Sequence, residues 1–287
     1  MEHAIQVRNL TKKYKDFTLN DISFDLPSGT IMGLIGENGA GKSTLINAIL
    51  GISESDYEQA DILGYDITSQ GSFAREDVAA IFCDSHFDQE FTPLFLGKML
   101  SKVYKNWDQK AYMNYLERFD LPLKKRLKKM STGMRVKVEF AAALSHHPKL
   151  LVLDEATSGL DPVFRDELLD ILREFTEDEE HSVFISSHIT SDLDKIADYI
   201  AYLHEGNLQF VSSYDDLRNN YGIINCGQQF FDALSREDIA AYRKEAYSYR
   251  VLVNNRQKLR QVFQDIQMEN ASIEDIMVFY VKGEKVR

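Results

Sequence analysis

The residues Gly36-Glu37-Asn38-Gly39-Ala40-Gly41-Lys42-Ser43 fit the pattern G-x-x-x-x-G-K-[ST]. Such a run holds a phosphate chain. Its glycines let backbone N–H groups wrap closely around the anion, and the positive end of a following helix points at it. Lys42 reaches the β and γ phosphates, and Ser43 ligates Mg²⁺. A glycine turn with an incidental lysine would need no particular setting. Here the apolar run Thr30 to Ile35 precedes the loop and a helix start follows it. A second group is Asp154-Glu155, at the end of the apolar stretch Leu150-Leu151-Val152-Leu153. Strand alternation puts the two carboxylates on different sides, so Asp154 can hold Mg²⁺ through water while Glu155 polarises an attacking water. An acidic pair alone would equally suit a solvated loop start.

These groups need a scaffold. Alternating apolar residues, Ile5, Val7 and Leu10, then Phe17, Leu19, Ile22, Phe24 and Leu26, predict an antiparallel hairpin or meander. A buried strand over 30–35 then feeds the glycine loop, with a helix from Lys42 to about Leu50. A strand at Val78 to Cys83 opens a mainly helical stretch to Met130, with Tyr112, Tyr115, Leu116 and Phe119 at helical spacing. Next come a helix ending near His147, a strand 150–153, a helix 162–175, a strand 182–186, a helix 191–197 and strands 199–204 and 208–211. Strands alternating with helices imply a parallel sheet. The tail predicts helices around 235–246, 256–268 and 272–280.

Taken in order, the glycine loop, Ser131-Thr132-Gly133-Met134-Arg135, Asp154-Glu155, Ser158-Gly159-Leu160-Asp161 and Ser187-His188 resemble the ATP-binding cassette (ABC) ATPase over residues 1–212. The resemblance implies an α/β fold: a P-loop ABC ATPase with a mixed sheet, an antiparallel β subdomain, a helical insert at about 85–130 and a small α/β extension. It divides the chain into an ATPase domain, 1–215, and an extension, 216–287, for dimerisation or regulation. Its ligands are ATP and Mg²⁺. Gly36, Asn38, Gly39, Ala40, Gly41, Lys42, Ser43 and Thr44 would bind the phosphates, and Tyr14 would stack on adenine. Ser131 and Gly133 would cap the nucleotide held by an opposite subunit, with Asp161 at the same junction. Ser131 could also simply cap a helix. Glu155 and His188 would be catalytic, the histidine touching the γ-phosphate, and Ser43 and Asp154 would hold the metal.

Departures are present too. Asp84 stands where a glutamine or glutamate is usual, as a third candidate metal ligand; Thr132 and Met134 replace glycine and glutamine, and Ala156 replaces proline. Together with Tyr104-Lys105-Asn106-Trp107-Asp108 these are similar to the bacterial ATPases of bacitracin-type and phenol-soluble-modulin-type exporters. The implied role is powering a separate membrane subunit, as a homodimer or heterodimer of ATPases, for export of peptide or antimicrobial-type cargo. The implied location is cytoplasmic, on the inner face of the cell membrane.

Composition narrows the alternatives. A net charge of −12 disfavours nucleic acid as a partner, and the one basic cluster, Lys124 to Lys129, can be a solvated loop or face lipid headgroups. Cys83 and Cys226 form no metal spacing and fit a reducing compartment. No run of about 18 apolar residues marks a membrane span. A GTPase would carry an Asn-Lys-x-Asp motif, and no Asn-Lys pair occurs. A regulatory ABC ATPase without a membrane partner stays open. Among the seven histidines, His146 and His147 read as surface residues.

Overall fold

A computed structural model of the chain describes residues 2–82, 87–263 and 266–284. Strands β1 (His3–Lys13) and β2 (Thr18–Pro27) form the expected hairpin. After β3 (Ile31–Ile35) and α1 (Lys42–Ile49), two short strands, β4 (Gln59–Ile62) and β5 (Tyr65–Asp66), complete a first antiparallel sheet in the order β2-β1-β4-β5.

Helix α2 (Gly71–Ala74), strand β6 (Val78–Phe82) and helices α3 (Pro93–Leu100), α4 (Gln109–Arg118) and α5 (Thr132–Leu144) follow. The site-bearing region comprises β7 (Leu150–Asp154), α6 (Pro162–Phe175), β8 (Ser182–Ser186), α7 (Thr190–Ile196), β9 (Tyr199–His204) and β10 (Asn207–Ser213). The central sheet runs β10-β9-β3-β8-β7-β6. Its inner pairs are parallel and β9–β10 is antiparallel, so the sheet is mixed.

Burial on both faces explains the unbroken apolar strands. Leu150 and Val152 pack with the first sheet and α1, while Leu151 and Leu153 pack with α5 and α6. Each fully buried leucine contributes roughly 1.5–3 kcal/mol. In the insert, Phe87, Phe91 and Tyr104 lie against this core, and Phe95 is exposed.

The remainder is α8 (Tyr214–Asn220), β11 (Gly222–Cys226), α9 (Gln228–Ala233), β12 (Ile239–Lys244), β13 (Tyr249–Val253), α10 (Arg256–Val262), β14 (Met268–Asn270) and α11 (Ile273–Lys282). Its strands make a third sheet, β12-β13-β11-β14. Two tail expectations need correction. The helix over 235–246 is instead strand β12, because Ile239 and Ala241 alternate into the core and the strand pairs with β13. The helix over 256–268 stops at Val262, and β14 begins at Met268.

The expected boundary at 215–216 falls inside α8. Core packing continues across it, since Ile223, Leu252, Ile276 and Phe279 share a cluster with Leu193 and Ile200. Among the described residues no helix is long and apolar enough to cross a membrane.

Candidate functional site

Parallel register brings the chemistry together. Leu34 aligns with Ser186, Ser186 with Asp154, and Asp154 with Phe82. The loops leaving β3, β7 and β8 therefore emerge along one edge of the sheet, the place where open α/β sheets take their ligands. Asp84, the third candidate metal ligand, lies outside the described residues.

The glycine loop turns sharply between β3 and α1. Gly39 and Gly41 have φ of +85° and +107°, a region that side chains strain to enter. A Cβ at Gly41 would also lie 2.6 Å from the Phe17 ring. The Lys42 amine turns back into the loop, donating to the carbonyls of Gly36 at 2.9 Å and Glu37 at 3.3 Å. It also lies 3.3 Å from Glu155 Oε1.

Glu155 is the centre of the arrangement. Its second oxygen shares a 2.5 Å hydrogen bond with His188 Nδ1. Its φ of +53° is left-handed, uncommon for a residue with a side chain. This turn, rather than strand alternation, sends it away from Asp154. Ser186 ties both down: its hydroxyl donates to Asp154 Oδ1 at 2.6 Å and accepts from the Glu155 N–H at 3.0 Å. Sequence reasoning missed Ser186; the only available signal was a small polar residue ending a strand just before Ser187-His188.

A cavity of about 710 Å³ lies over these groups, within the range of small-molecule sites. Asn38, Gly39, Gly41, Lys42, Ser43, Thr44, Asp154, Glu155 and His188 line it, all from the expected set. Asp16, Phe17 and Ser158 line it as well; Phe17 had been read only as an apolar hairpin residue and Ser158 only as part of the motif ending at Asp161. Gly36 and Ala40 form the base of the loop, and the Ala40 carbonyl accepts from Gly206 N.

Tyr14 is half exposed and outside this lining, leaving Phe17 as the aromatic wall. Asp161 is outside too. Its carboxylate accepts from the Phe164 N–H at 3.0 Å, caps α6, and is held below the usual carboxylate pKa by that bond. Ser131 caps α5 by accepting from the Met134 N–H, and Gly133 faces open space. Neither belongs to the cavity of its own chain.

Asp154 and Ser43 offer a carboxylate and a hydroxyl at one cavity wall. Among the described residues no cluster of three or more His, Cys, Asp or Glu could hold a metal alone. Hard oxygen donors in this small number fit Mg²⁺, which keeps waters and shares phosphate oxygens. The expectation of a surface His146 is corrected. It is buried, stacked on Tyr104 at 4.0 Å, with Nδ1 3.2 Å from the Glu76 carbonyl oxygen.

Residues 19–158 match the ABC transporter family model. The bacitracin transport ATP-binding protein of Enterococcus faecalis is 33% identical over 72% of this chain and 68% of its own length. The lantibiotic transport ATP-binding protein of Streptococcus pyogenes is 30% identical over 77% of this chain and 96% of its own. Among solved structures, an ATP-binding subunit of an ABC transporter superposes with a TM-score of 0.69 at 27% identity, covering 75% of this chain and 92% of that one. A dimeric ATP-binding cassette bound to ADP and phosphate shares the fold at 20% identity and a TM-score of 0.66, over 73% and 98%. With the phosphate loop, paired carboxylates and histidine on one sheet edge, these likenesses place the chain in the ABC transporter ATP-binding family, as an ATPase that takes ATP with Mg²⁺ and works with a membrane subunit.

Proposed function

We propose that the cavity holds the triphosphate of ATP, with Lys42 and the loop N–H groups on the β and γ phosphates. The observation that carries this is the line Lys42, Glu155, His188 across the cavity floor. Glu155 contacts both the lysine and the histidine. A γ-phosphate draws the Lys42 amine and the His188 ring onto its oxygens, which leaves the carboxylate to take a proton from water. His188 then holds that water and the phosphate in line. Ser43 and Asp154 would hold Mg²⁺, whose charge would offset that developing on the phosphate oxygens. Phe17, with Tyr14 nearby on the same turn, offers the adenine a flat apolar contact.

Ser131, Gly133 and the loop ending at Asp161 complete the site of a second nucleotide-binding subunit, identical or related. Support comes from the α5 N-terminus, whose Gly133 faces open space outside its own cavity. A helix N-terminus and a hydroxyl are suitable donors for a γ-phosphate. ATP therefore closes the pair, and hydrolysis removes the bridging group and lets it reopen.

We infer a place on the inner face of the cell membrane, beneath a multi-spanning partner that exports peptide or antimicrobial-type cargo. The relatives named for bacitracin and lantibiotic transport support this reading. To test it, the tagged Glu155→Gln chain is trapped with Mg-ATP in its native host, and whatever copurifies from gently solubilised membranes is identified by mass spectrometry. A multi-spanning protein in stoichiometric amount is expected. Recovery alone or with soluble partners contradicts the transport reading and favours a regulatory ATPase.

A further inference from the structure

Helix α7 begins two residues after His188 and is gripped from two sides. On the site side, Asp192 is buried, facing the Thr157 hydroxyl and the side chains of Arg165, Lys195 and His188. Thr157 lies two residues beyond Glu155, so this side of α7 lies against the loop that carries the carboxylate. On the far side, Asp194 accepts from the Tyr214 hydroxyl at 3.3 Å and lies beside Ile273, the first residue of α11. Helix α11 packs directly on α7, with Leu193, Ile196, Ile273 and Ile276 in one apolar cluster.

Tyr214 and Ile273 both come from the segment that follows the central sheet. That segment contributes nothing to the lining of the nucleotide cavity. Its path to the site runs through α7, a helix only about 10 Å long. A displacement of about 1 Å at a catalytic group can cost on the order of a hundredfold in rate. A seven-residue helix packed between the site loop and the C-terminal segment can transmit such a displacement.

We propose that Asp194 is a positioning residue through which the C-terminal extension sets His188 over the cavity, so that the extension governs the rate of hydrolysis and not the binding of ATP. This rests on reading Glu155 and His188 as the hydrolytic pair. Asp194 touches neither nucleotide nor water. It acts by fixing the pose of α7.

The test uses the full chain, with kcat and KM for ATP measured alongside thermal melting. Asp194→Ala is expected to lower kcat about tenfold with KM within about twofold. Asp194→Asn, which keeps a hydrogen-bond acceptor, recovers most of the rate, and Tyr214→Phe moves kcat down by a smaller factor without touching the site. In a His188→Ala background, Asp194→Ala costs nothing further, because both changes act on one group. Unchanged kcat in Asp194→Ala and Tyr214→Phe, with His188→Ala impaired, overturns the proposal and leaves the hydrolytic pair standing. An undiminished Asp194→Ala loss in the His188→Ala background overturns it as well. Wild-type turnover in His188→Ala removes the hydrolytic pair and the proposal together.

Discussion

Glu155 sits in a left-handed conformation that costs an ordinary residue roughly 1–2 kcal/mol. The surrounding bonds over-determine it: its N–H reaches both the hydroxyl and the carbonyl of Ser186, and its carboxylate reaches Lys42 and His188. Strain held this way fixes the carboxylate before nucleotide arrives. Ser186 is then as informative as the groups it supports. Ser186→Ala should leave the buried Asp154 without its hydroxyl donor and lower ATP turnover about tenfold or more, as loss of a residue orienting a metal ligand commonly does. Steady-state turnover at saturating Mg-ATP measures this, and an unchanged rate contradicts the orienting role. The difference in legibility between these residues has a physical cause. Lys42, Ser43 and the glycines act within one contiguous turn, so spacing reveals them. Ser186 and Phe17 act through strand register and a Cβ-free approach at Gly41, which exist only after folding.

At the level of elements, the strands of the central sheet and the helix Pro162–Phe175 were legible because their apolar patterns match their burial. Strand β12 was not. Its sequence Ile239-Ala240-Ala241-Tyr242-Arg243-Lys244 has local helix-favouring character, and pairing with β13 overrides it. The short strands β4 and β5 gave no period to read; only pairing with β1 and with each other defines them. His146 is a related case, because a histidine two residues before a proline gives no hint of burial. It ends up in the wall of a cavity of about 190 Å³ between β6, α3 and α5, on the Tyr104 ring. Burial pushes its pKa below the ordinary value of 6.5. The unfolded chain then binds a proton that the folded chain refuses, so His146 lowers stability as pH falls below about 6.5. His146→Phe keeps the stacking surface and has nothing to titrate. Its denaturation midpoint should be less sensitive to pH between about 7.5 and 5.5 than that of the parent; an identical slope contradicts the buried, neutral histidine.

The whole molecule places three sheets around one reactive edge. The first sheet and α1 support the glycine loop from one face of the central sheet, the helices support the carboxylates and histidine from the other, and α11 packs on both α7 and strand β12 of the third sheet. A net charge of −12 surrounds a site for a polyanion, so the local donors of the loop and Lys42 must outweigh a repulsive total. On the proposed reading, binding and hydrolysis are separable: the loop would supply the attraction and Glu155 the proton acceptor. The most direct test is to measure, in the same samples, bound ATP and turnover for the parent chain and for Glu155→Gln. The account predicts that the variant binds ATP at least as well and turns it over about a hundredfold or more slowly. Turnover at the parent rate with ATP bound would contradict the assignment of Glu155 at the centre of the site.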